Sequence, residues 1–223
     1  DLENVFFLRW IDETLIIDEH LKNNNPKSVV VVGGGYIGLE MTEAFIRRGL
    51  KVTLIEFEDR ILTTVDKEFS EIVKIKLEEE GARIITGKKV ERIQKDNDKL
   101  KVIASPDCGV LADMVLVAAG AEPQTSLAKS IGIQTGIKNA VKVNTKMETN
   151  IPDIYAGGDC VESLHNITKK PVYIALGTSA HKHGRIIGEN ICGWNSEYPG
   201  TLGTQSIKLF DTVIARTGLN EKE

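Results

Sequence analysis

The stretch "SVVVVGGGYIGLEMTEAFIRRGLKVTLIE", Ser28 to Glu56, decides the fold. Its four consecutive valines leave no polar face, so the run reads as a strand buried on both sides, as in a parallel sheet. Ile37, Met41, Ala44 and Phe45 then fall at helical spacing, and Gly49 ends the helix. "KVTLIE" is the next strand, which completes a βαβ unit. Gly33, Gly35 and Gly38 fit G-x-G-x-x-G, a weak signal by itself. Here it follows a buried strand and opens a helix, the context that gives the pattern meaning.

Each glycine has a distinct physical task. Gly33 permits the tight turn, Gly35 lets a pyrophosphate approach the backbone, and Gly38 lets helix and strand pack closely. Unpaired N–H groups at the helix start then face the phosphates. Glu56 follows Gly33 by 23 residues, at the end of the second strand. A carboxylate there accepts hydrogen bonds from ribose hydroxyls and repels a 2′-phosphate. Phe57, Glu58 and Asp59 keep the pocket mouth acidic, with Arg60 the only nearby cation in the sequence. The segment therefore reads as a site for NAD(H) rather than NADP(H). Tyr36 reads equally as a helix-start aromatic packed on the sheet, and Glu40 as a first-turn carboxylate favoured by the helix dipole.

Outward from this unit, residues 4–24 read as an extended start and a helix carrying Leu15, Ile16 and Leu21, and "NNNPKS" marks a boundary. A second helix is expected over residues 67–80, closed by Gly81. "ARIITG", "KVERIQKD", "LKVIAS" and "VLADMVLVAAG", broken at Asp96-Asn97-Asp98 and Pro106-Asp107, read as a β-meander leading into a buried strand over 114–118. Beyond Ala121 the chain is loop-rich, with a short strand expected over 154–158 and a helix over 174–192 ended by Gly193. Two strand-like runs close the sequence.

The chain has 223 residues, a formal charge of −4 and no basic field for nucleic acid. Its longest apolar runs are far too short for a bilayer. No signal peptide is visible, and Asp1 stands where Met would open a complete chain, so a longer parent is expected. Cys108, Cys160 and Cys192 form neither a C-x-x-C pair nor a disulfide framework, which suits a reducing cytoplasm. Metal-binding spacings, a nucleophile elbow and a P-loop G-K-[ST] are all missing from the sequence.

A second nucleotide-site signal, "IYAGGDC" (Ile154 to Cys160), lacks a glycine fingerprint of its own. Together with "VVVVGGGYIGLEMTEAF", "AAGAEP", "NIPDIYAGGDC" and "GTSAHKHGRIIGENICG", it resembles the FAD-dependent pyridine nucleotide–disulfide oxidoreductases. The branch it resembles is that of coenzyme A-disulfide reductases and NADH oxidases. Such a protein carries an NAD domain inserted into a split FAD domain. The resemblance implies an α/β fold: a Rossmann-like NAD-binding domain of parallel sheet plus β-meander, and the returning half of a split FAD-binding domain. The implied division is a lead-in over 1–25, the NAD(H)-binding domain over 26–120, the FAD part over 121–198, and the start of a truncated dimerisation domain over 199–223.

By the same resemblance Asp159 hydrogen-bonds the FAD ribityl chain, with Gly158 allowing close approach. Leu176, Gly177 and Thr178 open the helix that faces the flavin. Tyr36 gates the nicotinamide pocket with Glu40 beside it, and Gly120 lies near the nicotinamide nucleotide. The candidate cofactor-binding residues are thus Gly33, Gly35, Tyr36, Ile37, Gly38, Glu40, Glu56, Gly120, Gly158, Asp159, Leu176, Gly177 and Thr178. The family often shows Arg and Asn where Glu122 and Gln124 stand, and Asn where His181 stands. His181 and His183, two apart, read as polar helix residues on different faces.

A first FAD fingerprint and a redox cysteine belong before Asp1, so no catalytic residue is assigned within this chain. The implied activity of the full protein, expected to be a homodimer, passes hydride from NADH to FAD and on to a disulfide, persulfide or oxygen. The chain alone is expected to be inactive. The competing reading is a non-enzymatic dinucleotide-binding, redox-sensing module.

Overall fold

The computed structural model describes residues 2–105 and 107–221. Asp1, Pro106, Lys222 and Glu223, and with them the Pro106 half of the expected Pro106-Asp107 break, lie outside the described residues. The chain divides into two compact units, one of residues 1–120 and 206–215, the other of residues 121–205 and 216–223.

The first unit runs β1 (Val5–Phe7), α1 (Ile11–Asn24), β2 (Ser28–Val32), α2 (Tyr36–Arg47), β3 (Lys51–Ile55), α3 (Lys67–Glu79), β4 (Arg83–Ile85), β5 (Lys89–Asp96), β6 (Lys99–Ser105), β7 (Cys108–Ala112) and β8 (Met114–Val117). Five strands form a sheet in the order β1-β8-β2-β3-β4, every neighbouring pair parallel. β5, β6 and β7 form a separate antiparallel sheet. The four valines of β2 show why no polar residue fits there. Val29 and Val31 join a core with Leu39 and Phe45 of α2 and Val73 and Leu77 of α3. Val30 and Val32 join another with Leu100, Val102 and Ala104 of β6 and Val110 and Ala112 of β7. The parallel sheet is thus covered by helices on one face and by the meander on the other, which requires apolar residues at the four buried positions, Val29 to Val32, of its central strand.

Asp113, between β7 and β8, ties β8 to the start of β2. Its Oδ2 accepts from Lys27 N (2.9 Å), Ser28 N (2.8 Å) and Ser28 Oγ (2.8 Å), and Lys99 Nζ lies 3.3 Å from Oδ1. Burial alone would raise this carboxyl, but the hydrogen bonds from Lys27, Ser28 and Lys99 hold it below its ordinary value.

Two expectations change here. The "ARIITG" run is β4, which pairs parallel with β3 at Leu54↔Ile84 rather than joining the meander. It follows α3 directly, and that crossover returns it parallel to β3 at the sheet edge. In α2 the sheet-facing side is Gly38, Leu39, Thr42 and Phe45, and Ile37 is 47% exposed. The small Gly38 seats the helix, and Thr42 satisfies its hydroxyl by donating to Gly38 O (2.8 Å), so a polar residue is buried at no loss.

The chain continues through α4 (Ser126–Ser130), β9 (Ser163–Leu164), β10 (Pro171–Val172) and α5 (Gly177–Ile191) to a hairpin of β11 (Gln205–Leu209) and β12 (Thr212–Arg216). The second unit has its own core of Ile133, Val141, Met147, Val161 and Tyr198. Residues 154–158 do not form the expected strand. Tyr155 makes one bridge to Glu148, and Gly158–Cys160 is a turn of 3-10 helix. Gly-Gly-Asp favours that turn over a ladder. The expected helix over 174–192 begins later, at Gly177, since Leu176 is extended (φ −132°, ψ 132°) and acts as its N-cap. The aromatic and β-branched residues before it, Val172 to Ile174, prefer extended backbone. Ile207, Leu209 and Ile214 of the hairpin join the helix-side core of the first unit. There Arg47 and Lys76 lie over the Phe210 ring at 5.2 and 5.8 Å, and Lys76 pairs with Asp211 at 2.7 Å.

Candidate functional site

The chain leaves β2 toward β3 on one side, while β8 lies on the other. Their carboxyl ends therefore form a topological switch point, where open α/β sheets bind ligands. The glycine loop sits there. A Cβ at Gly33 would lie 2.4 Å from Ala118 O, just past β8, and its φ of +108° excludes most side chains as well. A Cβ at Gly38 would lie 1.9 Å from Gly33 O, so helix and loop touch through backbone. A Cβ at Gly35 would meet nothing within 4 Å. The space beside Gly35 is therefore open to a ligand, not filled by protein. Gly35 is also the N-cap of α2, with no side-chain cap and no acid in the first turn. The first N–H groups of the helix are left to an anion.

Glu56 lies just past β3. Its Oε2 accepts from Gly34 N, and its Oε1 accepts from Glu58 N at 2.7 Å. The carboxylate thus orients the glycine loop while keeping lone pairs for further donors. Gly34 is the residue the sequence reading passed over. A Cβ there would meet Ile61 Cγ2 at 2.8 Å and Glu56 Oε2 at 3.0 Å. The middle glycine of "GGG" was the available signal.

Tyr36 opens α2 half-buried against the helix-side core, and its hydroxyl receives the Thr64 hydroxyl at 3.4 Å. Glu40 is exposed and stands beyond the first turn, so the helix-dipole reading does not hold for it. Ile37 is exposed on the same first turns, and Gly120 is exposed past β8 with a φ of +104°. The first unit thus gathers Gly33, Gly35, Tyr36, Gly38, Glu56 and Gly120 at one end of its sheet.

In the second unit Gly158 has a φ of +82°, and a Cβ there would stand 3.8 Å from Ala180 Cβ of α5. Asp159 follows, exposed. Leu176, Gly177 and Thr178 open α5, whose first turn carries no acid. The structure therefore brings the Gly158-Asp159 turn against the early turns of the helix, as the two segments would need for a shared ligand. His181 is exposed, whereas His183 is buried and its Nδ1 accepts from Gly158 N at 3.1 Å. Cys160 is half-buried, its thiol pushed up by burial and by Asp159, which disfavours the thiolate. Among the described residues no group of His, Cys, Asp and Glu could hold a metal ion. No helix among them is long and apolar enough to cross a membrane.

A glycine loop and bare helix start past the central strand of a parallel sheet, with a carboxylate past the next strand, define a Rossmann-type α/β unit of the dinucleotide-binding class. The chain belongs to the pyridine nucleotide-disulphide oxidoreductase family, which residues 1–184 match. It is 38% identical over 232 residues to the NAD(P)H sulfur oxidoreductase (CoA-dependent) of Pyrococcus furiosus, covering 100% of this chain and 50% of that protein. It is 39% identical over 222 residues to an NADH oxidase of Methanocaldococcus jannaschii, covering 98% and 49%. A FAD-dependent pyridine nucleotide-disulphide oxidoreductase from Desulfovibrio vulgaris matches its structure with a TM-score of 0.90 at 34% identity, covering 100% of this chain and 56% of that one. The chain spans about half the length of the curated relatives it matches.

Proposed function

We propose that this chain is the NADH-binding part of a flavin-dependent oxidoreductase. Residues 26–120 hold NADH, residues 121–198 supply one part of the FAD site, and residues 199–223 begin a dimerisation domain. The observation that carries the reading is the open space at Gly35 beside the uncapped start of α2. Protein atoms press on the other glycines of the loop, but not on this one. A pyrophosphate fits there, bound by the N–H groups of the first turn. Glu56 accepts from the adenosine ribose hydroxyls, and its charge disfavours a 2′-phosphate. Tyr36 shields the nicotinamide end.

The Gly158-Asp159 turn and the start of α5 fit a flavin nucleotide on the same grounds: an exposed carboxylate for hydroxyl groups and an acid-free helix start for developing negative charge. FAD, when bound, supplies the carrier that takes hydride from NADH and delivers electrons to a disulfide, persulfide or oxygen. The task of this chain's residues is to bind and orient both cofactors. An Asp159→Ala change in the complete gene product tests the reading. Loss of FAD on gel filtration supports the flavoenzyme. Unchanged FAD content overturns the role of Asp159, and a product that never carries flavin identifies a non-enzymatic NAD-binding module.

A further inference from the structure

His183 lies on α5 beneath the turn that carries Asp159. It is 1% exposed, and its ring meets Tyr198 edge-on at 4.4 Å and 90°. A Cβ at Gly157 would come within 3.0 Å of His183 Cβ and 2.7 Å of Ile187 Cδ1, so the turn rests directly on this helix face. Because Nδ1 accepts the Gly158 N–H, the proton of the neutral ring sits on Nε2. That Nε2 is buried with no hydrogen-bond partner among the described residues. A buried, unpaired donor costs stability, and an aliphatic side chain would avoid the cost. What the imidazole supplies and a leucine cannot is an acceptor for Gly158.

We propose that His183 is a positioning residue that holds the Gly158-Asp159 turn in place through Nδ1, and that protonation of Nδ1 releases the turn and loosens FAD in the complete protein. The part about FAD rests on the reading of Asp159 given above. The charged group acting on the ring is Asp159, which favours protonation; burial is the larger influence and pushes the imidazole below its ordinary value. Cys160 on the same turn has its thiol pushed up and is uncharged. On the segment of Tyr198 the carboxylate of Glu197 is exposed, as are His181, Lys182 and Arg185 of α5. Since burial lowers the pKa, the turn stays held above about pH 6.5 and loosens as the pH falls below it.

The test compares the unmodified protein with His183→Gln, whose side-chain oxygen accepts but does not titrate, and His183→Leu, which cannot accept. Hydrogen exchange at the Gly158 amide reads the turn directly in the 223-residue chain. Flavin retained on gel filtration of the complete gene product reads the cofactor. Loss of one hydrogen bond predicts exchange about tenfold faster in His183→Leu and near-unmodified exchange in His183→Gln. Once the intrinsic pH dependence of amide exchange is divided out, protection of the Gly158 amide in the unmodified protein falls below about pH 6.5, and in His183→Gln it does not. Flavin retention follows the same order. Unchanged Gly158 protection in His183→Leu, or a pH-dependent protection kept in His183→Gln, overturns the positioning role. The expected exchange pattern with flavin retention equal in all three proteins overturns the FAD role of Asp159 and leaves the positioning of the turn standing. Should His183→Leu fail to fold, the pH series in the unmodified protein and His183→Gln still decides.

Discussion

Gly35 and Gly38 stand three residues apart in one loop, yet alanine at each should fail in a different way. At Gly38 the new methyl would lie 1.9 Å from Gly33 O and 3.5 Å from Val31 Cγ1. The obstacle is backbone, which cannot rotate aside. Alanine gains about 1 kcal/mol of helix propensity over glycine, while overpacking against a fixed neighbour costs about 1–3 kcal/mol and sometimes more. The net expectation is a destabilisation of up to about 2 kcal/mol, or a Tm lower by about 4–8 °C for a chain of this size. At Gly35 the methyl meets nothing within 4 Å, and φ is an ordinary −80°. Only the weaker N-cap preference of alanine is felt, under about 1 kcal/mol.

The methyl at Gly35 does occupy the space assigned to the pyrophosphate. NADH affinity should therefore fall by about tenfold or more, about 1.4 kcal/mol, with Tm nearly unchanged. Differential scanning calorimetry and NADH fluorescence titration on the two variants make the comparison. An unaltered NADH affinity in Gly35→Ala would refute the assignment of that space. A Tm in Gly38→Ala at or above that of the unmodified chain would refute the packing argument.

Glu56→Ala should weaken NADH by about tenfold, as expected for lost hydrogen bonds to a charged acceptor, and should leave NADPH little affected. Equal losses for both nucleotides in parallel titrations would show that Glu56 acts only through the loop at Gly34. Asp113→Ala leaves the Lys27 and Ser28 donors without their acceptor and should destabilise by about 1–3 kcal/mol in urea unfolding. Because the folded Asp113 carboxyl lies below its ordinary value, its contribution is complete above about pH 4 and is lost as the pH falls further. Asp113→Asn should accordingly flatten part of the acid limb of the stability curve; an unchanged acid limb would mean the pairing is too weak to matter.

Much of the first unit was legible because one segment carried several independent signals. Buried valines, ordered glycines, a helical stripe and a strand-end carboxylate all agreed. Where the sequence misled, one signal was read without its partner. "ARIITG" has the composition of a meander strand, and only its position directly after α3 returns it to the parallel sheet. Ile37 has the right spacing for the core, but Gly38 and Thr42 let the helix approach on the neighbouring face. His183 and Asp113 could not be found from spacing. Each acts on partners distant in sequence, His183 on Gly158 and Asp113 on Lys27 and Ser28, through polar contacts that leave no periodic trace.

The hairpin of residues 206–215 has a consequence for synthesis on the ribosome. It finishes the helix-side core of a unit whose other elements all lie before residue 121, with Phe210 wedged under Arg47 and Lys76. A nascent chain that has released only the first stretch carries the five-stranded sheet and its helices α1, α2 and α3, but an open apolar seam where Ile207, Leu209 and Ile214 will lie. Closing that seam must wait for the intervening residues to emerge, and a long loop must then be closed against its entropy. The unit that carries the glycine loop is made before residues 121–205, yet it is sealed only after them.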